Sequence, residues 1–322
     1  MNILRLKLIV FKLILVGFSI FLINPAMAVE TGAAAENNDA INPATAVETG
    51  AAVENNDAIN PATAVETGAA AENNDAWFTR RQKTIMLNVG AMGGVLLHGF
   101  INWDYGKDSF HFNNEGGFGR TTKYGGMDKL GHFWSSYSGS HLLGYVYREW
   151  GYADTEANLY GALSSFGIQT FMEIADGFSG HGFSYEDFLA NSVGACAGYI
   201  WGRYPRLAQK IDFRIEYRPD FNSNDLDLFT NYEDQRFLIA IKAEGFKFVT
   251  NPILKYGELH VGYYAHGYED YDSWDPDDDR KRTIFVGIGF NVTRFVQKWV
   301  DMSVFNYIQI PYTSINFDLV SD

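Results

Sequence analysis

Two short stretches, GGMDKLGHFWSSY at 125–137 and EIADGFSGHGFSYEDFLAN at 173–191, hold most of the ionisable residues in the otherwise apolar middle of this chain. Within them, His132 and Glu173 are the residues with the clearest chemical potential. An acid set into an apolar helix must be neutralised, paired or hydrogen-bonded, because a lone buried carboxylate is costly. Glu173 therefore requires a partner, and His132, Lys129 and Asn191 are the candidates. A His–carboxylate pair can perform general acid–base chemistry, with Asp128, Lys129 and Asn191 positioning a substrate. A histidine with several carboxylates, here His132, Glu173 and Asp187, can bind a divalent metal. The same groups can equally form a buried polar clasp that fixes helix register. Spacing alone leaves all three open.

Asp128 and His132 are four residues apart, as are Asp187 and Asn191, so each pair shares one face of a helix. Plainer roles also fit: Ser184 suits an N-cap with Asp187 closing the box, and Asp128 suits the positive end of its helix. The chain contains no H-E-x-x-H, C-x-x-C, G-x-S-x-G or phosphate-loop motif, and no cofactor is indicated.

These residues must be positioned by the elements around them. Apolar residues recur at helical length over Thr84–Trp103, Leu130–Trp150, Glu156–Ala175 and Tyr185–Tyr204, with turn-rich sequence between. These helices are rich in Gly, Ala and Ser, which permits close backbone approach. The pattern predicts an α+β protein: a four-helix bundle over 77–211, then a strand-rich antiparallel region over 212–322. In an up-and-down bundle the start of the second helix, the end of the third and the start of the fourth lie at one end. Asp128, Lys129 and His132 would there meet Glu173 and Asp176, together with His181, Ser184, Glu186, Asp187 and Asn191.

After Asp212 the runs at 236–248, 258–268 and 282–292 are short, aromatic and β-branched, as strands are. Five or six strands are too few for a closed outer-membrane barrel, so a sheet packed against the helices is expected, with aromatic strands facing lipid as the alternative. The acidic run at 269–279 lacks the Gly and terminal Glu of an EF-hand and reads as a solvated hairpin tip, with weak calcium binding as its alternative.

The first 28 residues read as a signal peptide: Arg5, Lys7 and Lys12, an apolar stretch to Ile23, then Pro25-Ala26-Met27-Ala28. Residues 29–76 repeat an eighteen-residue unit, starting at Val29, Val47 and Val65 with the third copy running only its first twelve residues, with acids, small residues and no aromatic before Trp77. Such a composition cannot bury enough apolar surface to offset its ordering entropy and reads as a disordered spacer. The formal net charge is −14, and no basic stripe is present, which argues against a nucleic-acid partner. The lone Cys196 excludes an intramolecular disulfide. Four membrane spans after a cleaved leader would place Arg80, Arg81, Lys83, Arg203, Arg206 and Lys210 all outside, against the positive-inside tendency. An inner-membrane four-span topology is therefore the alternative to a periplasmic or outer-membrane location in a Gram-negative-type envelope.

The string EGGFG at 115–119, then GG-x-DKLGHF with Tyr137, E-x-x-DGF and GFS-x-x-D-x-x-x-N-x-x-G, resembles the uncharacterised bacterial family of YfiM-like predicted periplasmic lipoproteins, from about Trp77 to Tyr204. A fainter similarity reaches VanZ-like four-helix membrane proteins, linked to teicoplanin resistance. The resemblance implies a shared helical core and a site of Asp128, Lys129, His132, Glu173, Asp187 and Asn191, without supplying a reaction. The chain departs from the lipoprotein pattern in having no lipobox cysteine. The function expected is therefore an exported envelope protein that binds a protein or lipid partner at a membrane surface. The alternative is an envelope enzyme acting on a lipid-linked or cell-wall substrate through His132 and Glu173, with or without a metal.

Overall fold

A helix leaves its first and last backbone groups unpaired within itself, and the helices here begin in different ways. The computed structural model describes residues 77–218, 231–268, 279–299 and 303–321. The expected signal peptide, the repeat spacer and nearly all of the acidic tip at 269–279 lie outside them. Helix α1 (Arg80–Asn102) opens on a reciprocal cap, with Thr79 Oγ1 accepting from the Gln82 amide and Gln82 Oε1 accepting from the Thr79 amide. Helix α2 (Met127–Glu149) follows Gly125 and Gly126, both at positive φ, where a side chain at 126 would collide with Phe118. Helices α3 (Asp154–Asp176) and α4 (Tyr185–Arg203) follow.

Close approach of α2, α3 and α4 depends on glycine. A β-carbon at Gly161 of α3 would overlap the backbone of Ser140 and Gly144 on α2, and one at Gly194 of α4 would overlap the Phe133 carbonyl of α2. These three helices form the helical core. The expected four-helix bundle is a misreading: six helices are present among the described residues, and α1 lies outside the core, mainly on α3, with only Gly99 buried. The reason is that α2 is enclosed by α3, α4 and the sheet, which together take the places a fourth helix would have. α1 alone among the described helices is long and apolar enough to cross a membrane, by length and composition.

A short helix, α5 (Pro205–Ala208), leads into a six-stranded sheet. Its strands are β3 (Ile211–Tyr217), β4 (Gln235–Lys242), β5 (Gly257–His266), β6 (Lys281–Phe290), β7 (Ile308–Gln309) and β8 (Ser314–Ser321), with the small helix α6 (Val292–Val296) between β6 and β7. They lie in the order β7-β3-β4-β5-β6-β8. All neighbours are antiparallel except β3 and β7, which run parallel, so the sheet is mixed at one edge rather than wholly antiparallel. The sheet docks on the helices through aromatic residues. Phe213 of β3 meets Phe133 and Tyr137 of α2 and Trp201 of α4, and the Trp134 indole donates to the Tyr307 carbonyl at 3.0 Å. Met127, Phe237, Ala265 and Tyr268 form the core at the α2 N-terminus.

One element has no counterpart in the sequence reading. β1 (Phe112–Asn113) pairs in parallel with β2 (Phe183–Ser184), which brings the segment leading to Glu115 against the start of α4.

Candidate functional site

The start of α2, the end of α3 and the start of α4 meet at one end of the helical core, joined there by the Glu115 segment through the β1–β2 pair. Lys129 is central. Its Nζ lies 2.5 Å from Glu115 Oε2, 2.7 Å from Asp128 Oδ2 and 2.9 Å from Asp187 Oδ1. The Lys129 side chain is only 6% exposed, and its three partners are nearly as enclosed. The carboxylates raise the Lys129 ammonium above its ordinary pKa against the opposing effect of burial. Burial would raise Glu115, but the hydrogen bond and charge of Lys129 outweigh it and hold this carboxyl below its usual value.

A second group abuts the first. His132 Nδ1 is 3.3 Å from Glu173 Oε1, though not aligned for a hydrogen bond, and His132 Nε2 is 3.8 Å from Asp187 Oδ1. Asn191 Nδ2 donates to Glu173 Oε1 at 3.3 Å, and Asn191 Oδ1 accepts from the Ser136 hydroxyl at 2.9 Å. Glu173 is 2% exposed and His132 16%. Burial, reinforced by the charges of Asp187 and Asp176, pushes Glu173 up to about 9. Burial and the Lys129 charge push His132 down to about 4. At neutral pH the pair is therefore an uncharged imidazole beside a carboxylic acid, not an ion pair. Asp187 rises to about 7 and Asp176 to about 6, burial being the largest cause in both.

All six residues singled out in the sequence, Asp128, Lys129, His132, Glu173, Asp187 and Asn191, are in this one cluster. The residues considered around them are placed differently. Ser184 Oγ accepts from the Asp187 amide at 3.2 Å and so caps α4, but the Asp187 side chain turns to Lys129 instead of closing the box. Asp128 is bound to Lys129 through its side chain, beyond any effect of the helix end. His181 contributes its carbonyl, which accepts from Asn113 Nδ2 at 2.8 Å, and its imidazole is lowered mainly by burial, with the Lys123 charge adding to it and Glu115 opposing. Glu186 accepts from Ser184 Oγ at 3.3 Å.

Glu115, Ser136 and Tyr105 were not expected here. Glu115 is carried in by β-pairing that two-residue strands do not announce. Ser136 was detectable, being four residues beyond His132 on the same helix. Tyr105 is buried, its ring against Gly99 of α1, and burial near Asp176 and Glu173 raises its phenol.

Two sets of donor atoms are close enough to share an ion, His132 with Glu173 and Asp187, and Glu115 with Asp128 and Asp187, each set within 4.8 Å. The second set already surrounds the Lys129 ammonium. The first offers one nitrogen and two oxygens, a donor set that suits zinc or another divalent transition metal.

A family model described as predicted periplasmic lipoprotein (DUF2279) matches residues 114–202. The match spans every member of the cluster except Tyr105 and leaves α1 and the six-stranded sheet outside. The comparisons with curated proteins and with solved structures gave no match.

Proposed function

We propose that this chain is an exported cell-envelope protein with a non-enzymatic role, binding a protein or lipid partner at a membrane surface, and that its charged cluster is a structural clasp. The description of the matched family supports the envelope assignment. The clasp rests on one observation: the Lys129 ammonium is held by carboxylates from the Glu115 segment, α2 and α4. Removing one member of such a buried network leaves unpaired charge behind, so the network ties those segments together. The beginning of α4 is joined to the end of α3 and to α2 by neutral hydrogen bonds instead, Asn191 linking Glu173 to Ser136.

The enzymatic alternative has less support. Glu173 is closed off from solvent, and an imidazole pushed to about 4 is a weak base at neutral pH. A metal-binding reading is favoured by a separate observation, the convergence of His132, Glu173 and Asp187. Elemental analysis of protein purified without chelators tests it: stoichiometric metal that is lost in His132→Ala supports that reading, and its absence removes it. The clasp itself is tested by unfolding free energies of Lys129, Glu173 and Asn191 variants, in which a clasp predicts large losses, dependent on each other for directly bonded pairs. The leader completes the proposal as an export signal.

A further inference from the structure

The sheet is curled and has its polarity inverted. β7 pairs with β3 at one edge, and β8 pairs with β6 at the other. Only residues 310–313 join β7 to β8. A link of that length reaches about 17 Å at most, whereas the outer strands of a flat six-stranded sheet stand about 24 Å apart. The sheet must therefore bend until its edges approach each other, as in an incompletely closed barrel.

The inner face of this curve is charged. Arg214 of β3 donates to Glu258 of β5 at 2.7 and 2.8 Å, to Asp212 at 2.8 Å and to Gln309 at 2.9 Å, and Lys242 reaches Asp212 at 2.8 Å. All five are buried. On the other face the register aligns Leu259 with Ile288 and Ile288 with Ile315, and likewise Val261 with Val286 and Val286 with Phe317. The helical part covers this face on the β3–β4 side, through Phe213 and Phe237, and at the end of β5, where Ala265 packs with Met127 and the Tyr263 hydroxyl donates to the Gly125 carbonyl, but leaves the middle of β5, β6 and β8 open. Ile288 is left 63% exposed and Ile315 68%.

A sheet in water puts its apolar side chains inward and its charges outward. The reverse alternation is that of strands standing in lipid. α1 supports the same setting, since it is about 34 Å long, comparable to a hydrocarbon core of about 30 Å, and it is almost uncovered by the rest of the chain. Its first turn carries Arg81 and Lys83, which complement anionic headgroups.

We propose that the β5–β6–β8 sector of the sheet and α1 face the acyl chains of a phospholipid bilayer, the curled sheet enclosing its charges away from them. This deepens the envelope reading by naming lipid as the partner. It does not depend on the clasp, whose test is unfolding stability and not lipid contact.

The test uses the full chain with Cys196→Ser and a single bimane-labelled cysteine, Ile288→Cys or Phe317→Cys, with Lys107→Cys as the polar reference. Each is reconstituted into phosphatidylethanolamine and phosphatidylglycerol vesicles with ordinary or brominated acyl chains. Quenching by the brominated chains at 288 and 317, above that at 107, is the expected result. Equal emission in the two lipids at 288 and 317 would overturn the proposal. So would a concentration-dependent blue shift without lipid, which would assign the face to a second copy of the chain. As an independent measure, Ile288→Arg should weaken vesicle partitioning roughly thirtyfold, the equivalent of about 2 kcal/mol for arginine among acyl chains. Unchanged partitioning would count against the proposal.

Discussion

Lys129 on α2 lies 2.9 Å from Asp187 on α4, and the same ammonium holds Glu115, which reaches the site from before α2. One positive charge thus joins segments that are far apart in sequence. Lys129→Met keeps most of the apolar stem and deletes the charge, leaving three enclosed carboxylates without their counter-ion. A loss of about 3–5 kcal/mol in unfolding free energy is expected from urea titration. Adding Asp187→Asn should recover part of it, because one of the stranded charges is then removed.

The neutral state of Glu173 has a pH signature. Its folded pKa of about 9 lies above the ordinary 4.5, so between these values the folded state holds a proton that the unfolded state has released. This contribution is complete below pH 4.5 and is lost as the pH rises toward 9. His132 works in the opposite sense, since a folded value of about 4 against 6.5 makes stability rise between pH 4 and 6.5. The two oppose each other in acid, and Asp187, raised to about 7, is half titrated at pH 7 and adds only a small further fall above it. From pH 7 to 9 Glu173 dominates, and stability should fall by up to about 3 kcal/mol. Glu173→Gln should flatten that slope in chemical denaturation measured across the range.

Backbone contact between the helices can be tested without touching the charges. Gly194→Ala on α4 places a methyl group into the Phe133 carbonyl of α2 and should cost about 3 kcal/mol, because backbone on both sides must move. Gly167→Ala on α3 meets nothing within 4 Å and should instead stabilise by up to about 1 kcal/mol through helix propensity. Thermal or urea unfolding of the two variants gives opposite signs if the packing is as described.

The positions of the long helices and the main strands were legible in the sequence because their signals are local. Apolar periodicity marked α1 to α4 within a few residues, and β-branched and aromatic runs marked β4, β5 and β6. The meeting of Asp128, Glu173 and Asp187 was also legible, since it follows from helix order and short connections. What the sequence hid is non-local. α1 is apolar and of the same length as α2 and α3, and only the packing of α2 against the sheet shows that no place in the core is left for it. Glu115 enters the cluster through the pairing of Phe112 with Phe183, a contact 71 residues apart in sequence that two-residue strands cannot signal. The inversion of the sheet was hidden as well, because the burial of Asp212, Arg214 and Glu258 on one face required the curl that the 310–313 link imposes.

The central claim is that the cluster holds the helix ends together, and a double-mutant cycle on Glu173 and Asn191, whose hydrogen bond ties the end of α3 to α4, tests it most directly. Unfolding free energy would be measured at pH 7 for the wild type, Asn191→Ala, Glu173→Ala and the double variant. A clasp predicts about 2–4 kcal/mol lost in each single variant and a double loss smaller than the sum by about 1 kcal/mol or more. Single variants that match or exceed wild-type stability would contradict the clasp and show that the cluster is maintained at a stability cost for another purpose.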